Sequence, residues 1–432
     1  MTVPLAAVAA TTRPRDPRPD SLASPLGRPR PASQYFDVTR AEPDAAAIAA
    51  TAGAIRGFTT DVYRRLALSE DSSPNLVCSP YSVAVALAMV RAGARGATAS
   101  EIDAVLHAPE PVPDALDEGF NALDQLMISQ YRDQDDDALP QLAVGNSLWP
   151  QADLPVERAF LETLARFYGA GTHPVDFRTA TEAARQEINA WVSDHTNERI
   201  PELLLPGILS SSTLFVLVNT LYLKASWQSP FLPEATAPDN FYAADGRTLA
   251  VPMMTGTASP MRYLEADGWC AVDIPYVGSQ LAMAVVIPTR GDLTTLEAAI
   301  DGPWLTDLFA GFTSALVRLR MPRWESRVPV TMGELLSQLG MPTAFSPQAD
   351  FSGISPVRPL FIDKVVHETF ISVDEKGTEA AAATAIGSVG SGQQPPVPKQ
   401  VTVDRPFCYV IHDVRRATPL FIGRVGDPTM TS

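Results

Sequence analysis

The chain has 432 residues, 46% of them hydrophobic and 19% charged, with 39 prolines; that apolar share excludes wholesale disorder and allows either one large body or two to three domains. Three cysteines, Cys78, Cys270 and Cys408, cannot build a disulfide framework, and no CxxC spacing points to zinc. The formal charge of −16 removes the counterion-release attraction on which a general nucleic-acid binder depends.

Residues 1–53 read as a flexible tail, rich in Pro, Arg, Ala and Ser and without helical or strand period. Met1–Ala10 is apolar, but no cation precedes it and Pro4 interrupts it, so it makes a poor secretion signal. Later apolar runs such as Leu281–Pro288 are too short to cross a bilayer as a helix.

From Ala54 the pattern changes. Phe58, Val62 and Leu66 share a helical face. Asn75–Ser79 reads as a short buried strand stopped by Pro80, and Ser82–Gly93 as an apolar helix ending at glycine. Glu118–Gln130 is a further helix, followed by an acidic loop of Asp133, Asp135, Asp136 and Asp137. Phe160–Tyr168 and Thr181–Thr196 are helical, and Thr213–Leu223 is an apolar strand. Short runs bounded by Gly, Pro or Asp then follow as strands: 241–242, 251–254, 261–264, 270–275, 281–288 and 315–322. Leu293–Ala310 and Met332–Leu339 are helical; 360–373, 408–413 and 419–425 are strands. Helices dominate the first half and strands the second, without βαβ alternation, so the fold class is α+β with antiparallel sheets.

No catalytic pattern stands out. His367-Glu368 lacks the second His of a helical zinc site, and Gly390-Ser391-Gly392 has the wrong spacing for a nucleophile elbow. No phosphate-cradling glycine loop occurs. The chain reads as a non-enzyme without metal or cofactor.

Residues 374–399 break the rules for a connection. Between Glu379 and Lys399 there is no charge, and structureless loops of such length are uncommon in compact domains. Ala380–Ala383 suits a helix, and the Gly/Ala/Pro content suits a linker. A third reading accounts for more: the loop can become a strand inside a sheet. Thr378, Ala380, Ala382, Thr384 and Ile386 then face the interior, uncharged, while Glu379, Ala381, Ala383 and Ala385 face outward. A charge on the inward face would oppose entry by its desolvation cost. Gly377 frees the backbone for the reversal.

Glu375-Lys-Gly-Thr-Glu-Ala-Ala-Ala-Ala-Thr384 resembles the hinge of the serpins, inhibitors that trap serine proteases by inserting a cleaved loop. Asn75–Ser82, Asn219–Phe231, Ala349–Gly353, Val366-His367, Arg405–Phe407 and Phe421–Pro428 resemble further motifs of that family, in the right order. The resemblance implies one serpin domain over 54–432, with three β-sheets, about nine helices and an exposed reactive-centre loop at about 375–399. It implies a metastable native state and a covalent acyl complex with a target protease. Glu375, Gly377, Thr378, Ala380, Ala381, Ala382, Ala383 and Thr384 match the hinge. Ser79, Ser82, Asn219 and His367 match the shutter, where the main sheet parts, and Lys224 and Trp227 match the breach, where insertion begins. No inward hinge residue is Pro, charged or bulky, which favours inhibition over a binding or chaperone role.

Counting the family spacing from Glu375 places the reactive bond at Ser391–Gly392; counting back from Phe407 gives a position near Pro395. Proline after the bond is poorly accepted, which leaves 386–393, with Val389 and Ile386 as rivals to Ser391. The small and aliphatic residues there suit an elastase-like or subtilisin-like target, since a trypsin-like pocket asks for a cation and a chymotrypsin-like one for a large ring. The region that binds heparin in some serpins, here Asp114–Asp137, carries one cation, Arg132, so no heparin dependence follows. A monomer is expected, with loop–sheet polymers as a hazard. The family is mostly extracellular; the weak signal and free thiols leave a cytoplasmic alternative.

Overall fold

The computed structural model describes residues 38–430 apart from 70–72, 113, 132–138 and 379–396. The elements run, in chain order, α1 (Ala47–Ala67), β1 (Leu76–Cys78), α2 (Pro80–Arg91), α3 (Gly96–Val105), α4 (Asp114–Leu126), β2 (Gln141–Pro150), α5 (Arg158–Thr163), β3 (Gly171–Thr172) and α6 (Thr181–His195). Then come β4 (Phe215–Ser226), β5 (Ala237–Tyr242), β6 (Thr248–Thr255), β7 (Ser259–Ala266), β8 (Trp269–Pro275), β9 (Leu281–Pro288), α7 (Leu293–Ala299) and α8 (Trp304–Gly311). The chain closes with β10 (Thr313–Pro322), β11 (Trp324–Thr331), α9 (Met332–Leu339), β12 (Val365–Val373), β13 (Gly377–Thr378), β14 (Lys399–Thr402), β15 (Phe407–Asp413) and β16 (Thr418–Val425).

Two hydrogen-bonded sheets organise these strands. One has the order β1-β16-β15-β9-β8-β7-β10-β6-β5, with β14 beside β10. The other has the order β11-β12-β13-β4-β2-β3. The expectation of three sheets meets a continuous first sheet because β10 is shared: residues 313–317 pair with β7 and residues 320–322 with β6. β9 is buried along its whole length, as its unbroken apolar run implies. The main core lies between the sheets, and a second, smaller core forms where α6 packs on the outer face of the six-stranded sheet through Ile188, Val192, Val216, Val218 and Val366. Among the described residues no helix is long and apolar enough to cross a membrane.

Several boundaries differ from the sequence reading. α1 begins at Ala47, ahead of the tail boundary drawn at residue 53, and places Ile48, Ala52 and Ile55 in the core. Residues before it also pack on the body. Ala41 N–H donates to Arg166 O at 2.8 Å, and the Arg40 guanidinium pairs with Asp124 of α4 at 2.7 Å. Residues 40–41 and 47–53, assigned to the tail from composition, thus pack on the body. The single helix expected over 293–310 is two, because Gly302-Pro303 interrupts it. The helix expected over 160–168 ends in a π turn, Leu164–Tyr168, closed by Gly169 in the left-handed region. The strand expected from Leu360 starts at Val365. The acidic loop at 133–137 lies outside the described residues. All three cysteines are buried and unpaired.

Candidate functional site

β4 and β12 run parallel and define a seam in the six-stranded sheet. At one end they pair directly, Val365↔Leu217 to His367↔Asn219. At the other end β13 sits between them, antiparallel to both: Gly377↔Ser226, Thr378↔Ala225 and Val373↔Thr378. Between these ends, residues 220–224 and 368–372 face each other across the seam with no strand paired between them among the described residues. Leu221, Leu223 and Ile371 face the main core there.

The hinge is held by packing and by backbone bonds. Trp227 is fully buried and stacks on Tyr276, with ring centres 4.6 Å apart and planes 8° from parallel. Its indole Nε1 donates to Asp374 O at 3.0 Å, and its backbone N–H donates to Lys376 O at 2.8 Å. The Tyr276 and Thr378 hydroxyls share a hydrogen bond of 2.7 Å, and Thr378 is 1% exposed on the core side. Gly377 passes so close to β4 that a Cβ there would lie 2.1 Å from Ala225 O, which only glycine tolerates. Glu375 is 4% exposed and accepts from Arg323 Nε at 2.8 Å and from the Thr236 hydroxyl. Burial pushes its carboxyl up, but the Arg323 and Thr236 bonds outweigh that and hold it below its ordinary value.

At the zipped end, His367 is fully buried. Its Nε2 accepts the Ser79 backbone N–H at 3.0 Å and lies 2.8 Å from the Thr369 hydroxyl. Nδ1 has no partner among the described side chains. Burial lowers the imidazole pKa to about 4, so the ring is neutral at physiological pH. Ser79 caps α2 by accepting from Ser82 N–H at 3.3 Å, and its hydroxyl donates to Leu420 O at 2.7 Å. The α2 terminus, β16 and β12 thus meet on one residue.

The structure brings Ser79, Ser82, His367 and the Asn219 backbone together at one end of the seam and Glu375, Gly377, Thr378 and Trp227 at the other. Lys224 stands apart from the hinge cluster: it is half-buried on the outer face of β4, lining a cavity with Gln141, Tyr222 and residues 197–199. Three hinge partners escaped the sequence reading: Arg323, Thr236 and Tyr276. Arg323 and Glu375 are 52 residues apart, and no local spacing joins them. Ala380, Ala381, Ala382, Ala383, Thr384 and the bond candidates Ile386, Val389, Ser391 and Gly392 lie outside the described residues.

Residues 53–428 match the family model described as Serpin (serine protease inhibitor). The chain belongs to the serpin family. An uncharacterized serpin-like protein of Thermococcus kodakarensis is 36% identical over 376 residues, covering 87% of this chain and 85% of that one. Leukocyte elastase inhibitor A of Mus musculus is 34% identical over 387 residues, covering 86% and 97%. Among solved structures, the thermophilic serpin Tengpin in its native state superposes with a TM-score of 0.77 at 27% identity, covering 90% of this chain and 96% of that one. The fold is the serpin fold.

Proposed function

We propose that this serpin is a suicide-substrate inhibitor of serine endopeptidases with elastase-like or subtilisin-like pockets. The protease attacks the loop, its serine forms an acyl bond to the residue before the cut, and the freed loop enters the seam before water can release the enzyme. The observation that carries this reading is β13, a two-residue strand already seated at the top of a seam whose next five positions are unpaired on both banks among the described residues.

Register makes the reading specific. Continuing from Thr378↔Ala225 and Thr378↔Val373, residues 379–383 would lie against 224–220 of β4 and 372–368 of β12. Thr384 would then meet the zipped pair His367↔Asn219. Thr378 faces the core, so Ala380, Ala382 and Thr384 would follow it inward and Glu379 would face out. Small neutral side chains are what such a slot accepts. Leukocyte elastase inhibitors among the relatives support the target class.

The test is incubation of the intact protein with an elastase and with subtilisin, followed by denaturing electrophoresis and mass analysis of the released carboxy-terminal peptide. A band resistant to detergent at the summed mass, with cleavage inside 386–393, is expected. Stoichiometric cleavage without that band, and without a rise in unfolding temperature, would instead assign the chain to the non-inhibitory serpins.

A further inference from the structure

Residues 38–44 precede both α1 and the serpin match that starts at residue 53, and they form neither helix nor strand. The body nevertheless reads two of them closely. The Arg40 guanidinium enters a socket made by α4 and the π turn. Its Nε donates to Asn121 Oδ1 at 3.1 Å and its Nη2 to the Phe167 carbonyl at 3.3 Å. The Asp124 carboxylate, one turn along α4 from Asn121, faces the same Nη2 at 2.7 Å. Gly169 closes the remaining side, where a Cβ would lie 3.0 Å from Nη1. Asn121 is 1% exposed, and Gln125 Nε2 fixes its amide by donating to Oδ1 at 2.7 Å.

The backbone beside the arginine is held as well. Ala41 N–H donates to Arg166 O at 2.8 Å, and Ala41 O accepts from Asn121 Nδ2 at 3.0 Å and from Gln125 Nε2 at 2.8 Å. One side chain and both polar groups of the next residue are thus recognised, which is how a peptide is bound and not how a surface ion pair forms. The sequence fits that requirement. Residues 1–40 hold six arginines, at 13, 15, 18, 28, 30 and 40. Proline follows Arg13, Arg18, Arg28 and Arg30 and lacks the N–H that Arg166 O would accept. Arg15 is followed by an acid, unsuited to a helix that already carries Asp114, Asp117, Glu118 and Asp124. Of the six, Arg40 is the one followed by a residue with a free N–H and no opposing charge.

We propose that this socket is a recognition site for an arginine-bearing peptide segment of another protein, and that the chain's own Arg40-Ala41 fills it as an internal competitor. The ligand is an arginine followed by a residue with a free N–H. Lysine does not serve, because a point ammonium cannot meet Asn121, the Phe167 carbonyl and Asp124 with one planar fork. The arm joins α1 through residues 42–46, four of which are exposed, and the buried stripe of α1 begins only at Ile48. It can therefore leave the socket without opening the core. A short tether holds it there at an effective concentration in the millimolar range. A partner wins the site by adding contacts outside the socket. Either occupant ties α4 to the π turn, and the site operates independently of loop insertion.

The probe is acetyl-Arg-Ala-amide, with acetyl-Lys-Ala-amide and acetyl-Arg-Pro-amide as controls. The full chain carrying Arg40→Ala and Ala41→Pro presents an emptied socket. It is expected to bind the Arg-Ala probe about tenfold more tightly than the wild type does, since the tethered competitor is gone. Bound probe should raise the unfolding temperature of that variant, and the controls should not. Adding Asp124→Asn should weaken probe binding about tenfold, by removing the charged acceptor. In the wild-type chain, excess Arg-Ala probe should speed hydrogen exchange at the Ala41 amide, and excess Lys-Ala probe should leave it unchanged. Absence of probe binding to the emptied socket overturns the proposal. Equal binding of the Arg-Ala and Arg-Pro probes also overturns it, by showing attraction to charge alone. Should the double variant fail to fold, the wild-type measurement decides: Ala41 exchange that responds no more to the Arg-Ala probe than to the Lys-Ala probe overturns the proposal.

Discussion

Replacing Thr378 by glutamate separates a loop that enters the sheet from one that is merely cut. Thr378 is 1% exposed, on the core face, with its hydroxyl bonded to Tyr276. The side-chain contact of Thr378 is the Tyr276 hydroxyl, and Arg323, a cation of the hinge, is engaged by Glu375. A carboxylate at 378 would have to stay charged in an apolar site, or take up a proton, which from an ordinary pKa near 4.3 costs about 4 kcal/mol at pH 7. The lost hydroxyl bond leaves the Tyr276 oxygen unsatisfied, adding about 1–3 kcal/mol. Against this, β13 has three register pairs, and each backbone bond contributes about 1 kcal/mol net. The strand should leave the seam, and seating of residue 378 after acylation should become less favourable by about three orders of magnitude. Thr378→Glu is therefore expected to be cut at the wild-type bond but to release active protease, and its cleaved form should show little of the wild-type rise in unfolding temperature. Thr378→Val, which keeps the shape and loses one bond, should retain most complex formation. Denaturing gels at fixed inhibitor-to-protease ratio, with thermal unfolding of the cleaved forms, provide both readouts. If Thr378→Glu forms complex as well as the wild type and gains as much stability on cleavage, residue 378 does not enter the sheet and the reasoning fails.

Arg323→Ala leaves the buried Glu375 carboxylate with Thr236 as its remaining side-chain donor, and should lower the stability of the uncut protein by about 1–3 kcal/mol, read by denaturant unfolding at pH 7; an unchanged midpoint would count against the latch. His367 and His173 are both buried with pKa values lowered to about 4, the first by burial and the second by burial and then by His195. A histidine held neutral in the folded state contributes stability that is whole above the unfolded value near 6.5 and is lost as pH falls from there through 4, here up to about 3 kcal/mol per ring. The unfolding temperature should fall across that window, and His173→Gln should flatten part of the fall. Asp117 runs the other way. Burial raises its carboxyl to about 6 despite the 2.6 Å bond from Tyr168, so its charged form burdens the native state above that pH. Asp117→Asn should raise stability at pH 7 by up to about 3 kcal/mol and leave it little changed at pH 4; destabilisation at pH 7 would show that the charge is needed.

What was legible in the sequence, and what was not, follows from the range of the interactions. The inward phase of Thr378 follows from a side-chain period of two, and one residue fixes the phase for those after it. The apolar run at Leu281–Pro288, bounded by strand-ending residues, reads as a strand, and the fold buries it along its whole length. α1 was drawn too short because alanines carry little periodic signal, although Ile48 and Ile55 already mark the buried stripe. The helix expected at 293–310 took in Gly302-Pro303 because apolar periodicity resumes on the far side of the break. Arg323, Thr236 and Tyr276 could not be paired with the hinge from spacing, since sheet register alone brings them there. Lys224 follows the same logic in reverse: its motif was recognisable, but its alternate position on β4 turns it to the outer face.

Two contacts along the seam lie at different levels of one pair of strands, and on the insertion reading that imposes an order on them. β13 already separates β4 from β12 at the level of Ala225 and Val373. Direct pairing still closes the far end, where His367 accepts from Ser79 and so ties β12 to the start of α2. A strand growing from Thr378 reaches Phe370 before it reaches His367. On the insertion reading, the His367–Ser79 bond is broken or remade only after residues 220–224 and 368–372 have parted. Weakening the Ser79–His367 junction should also loosen the packing of β12 against α2, which the inserted form needs as much as the native one does.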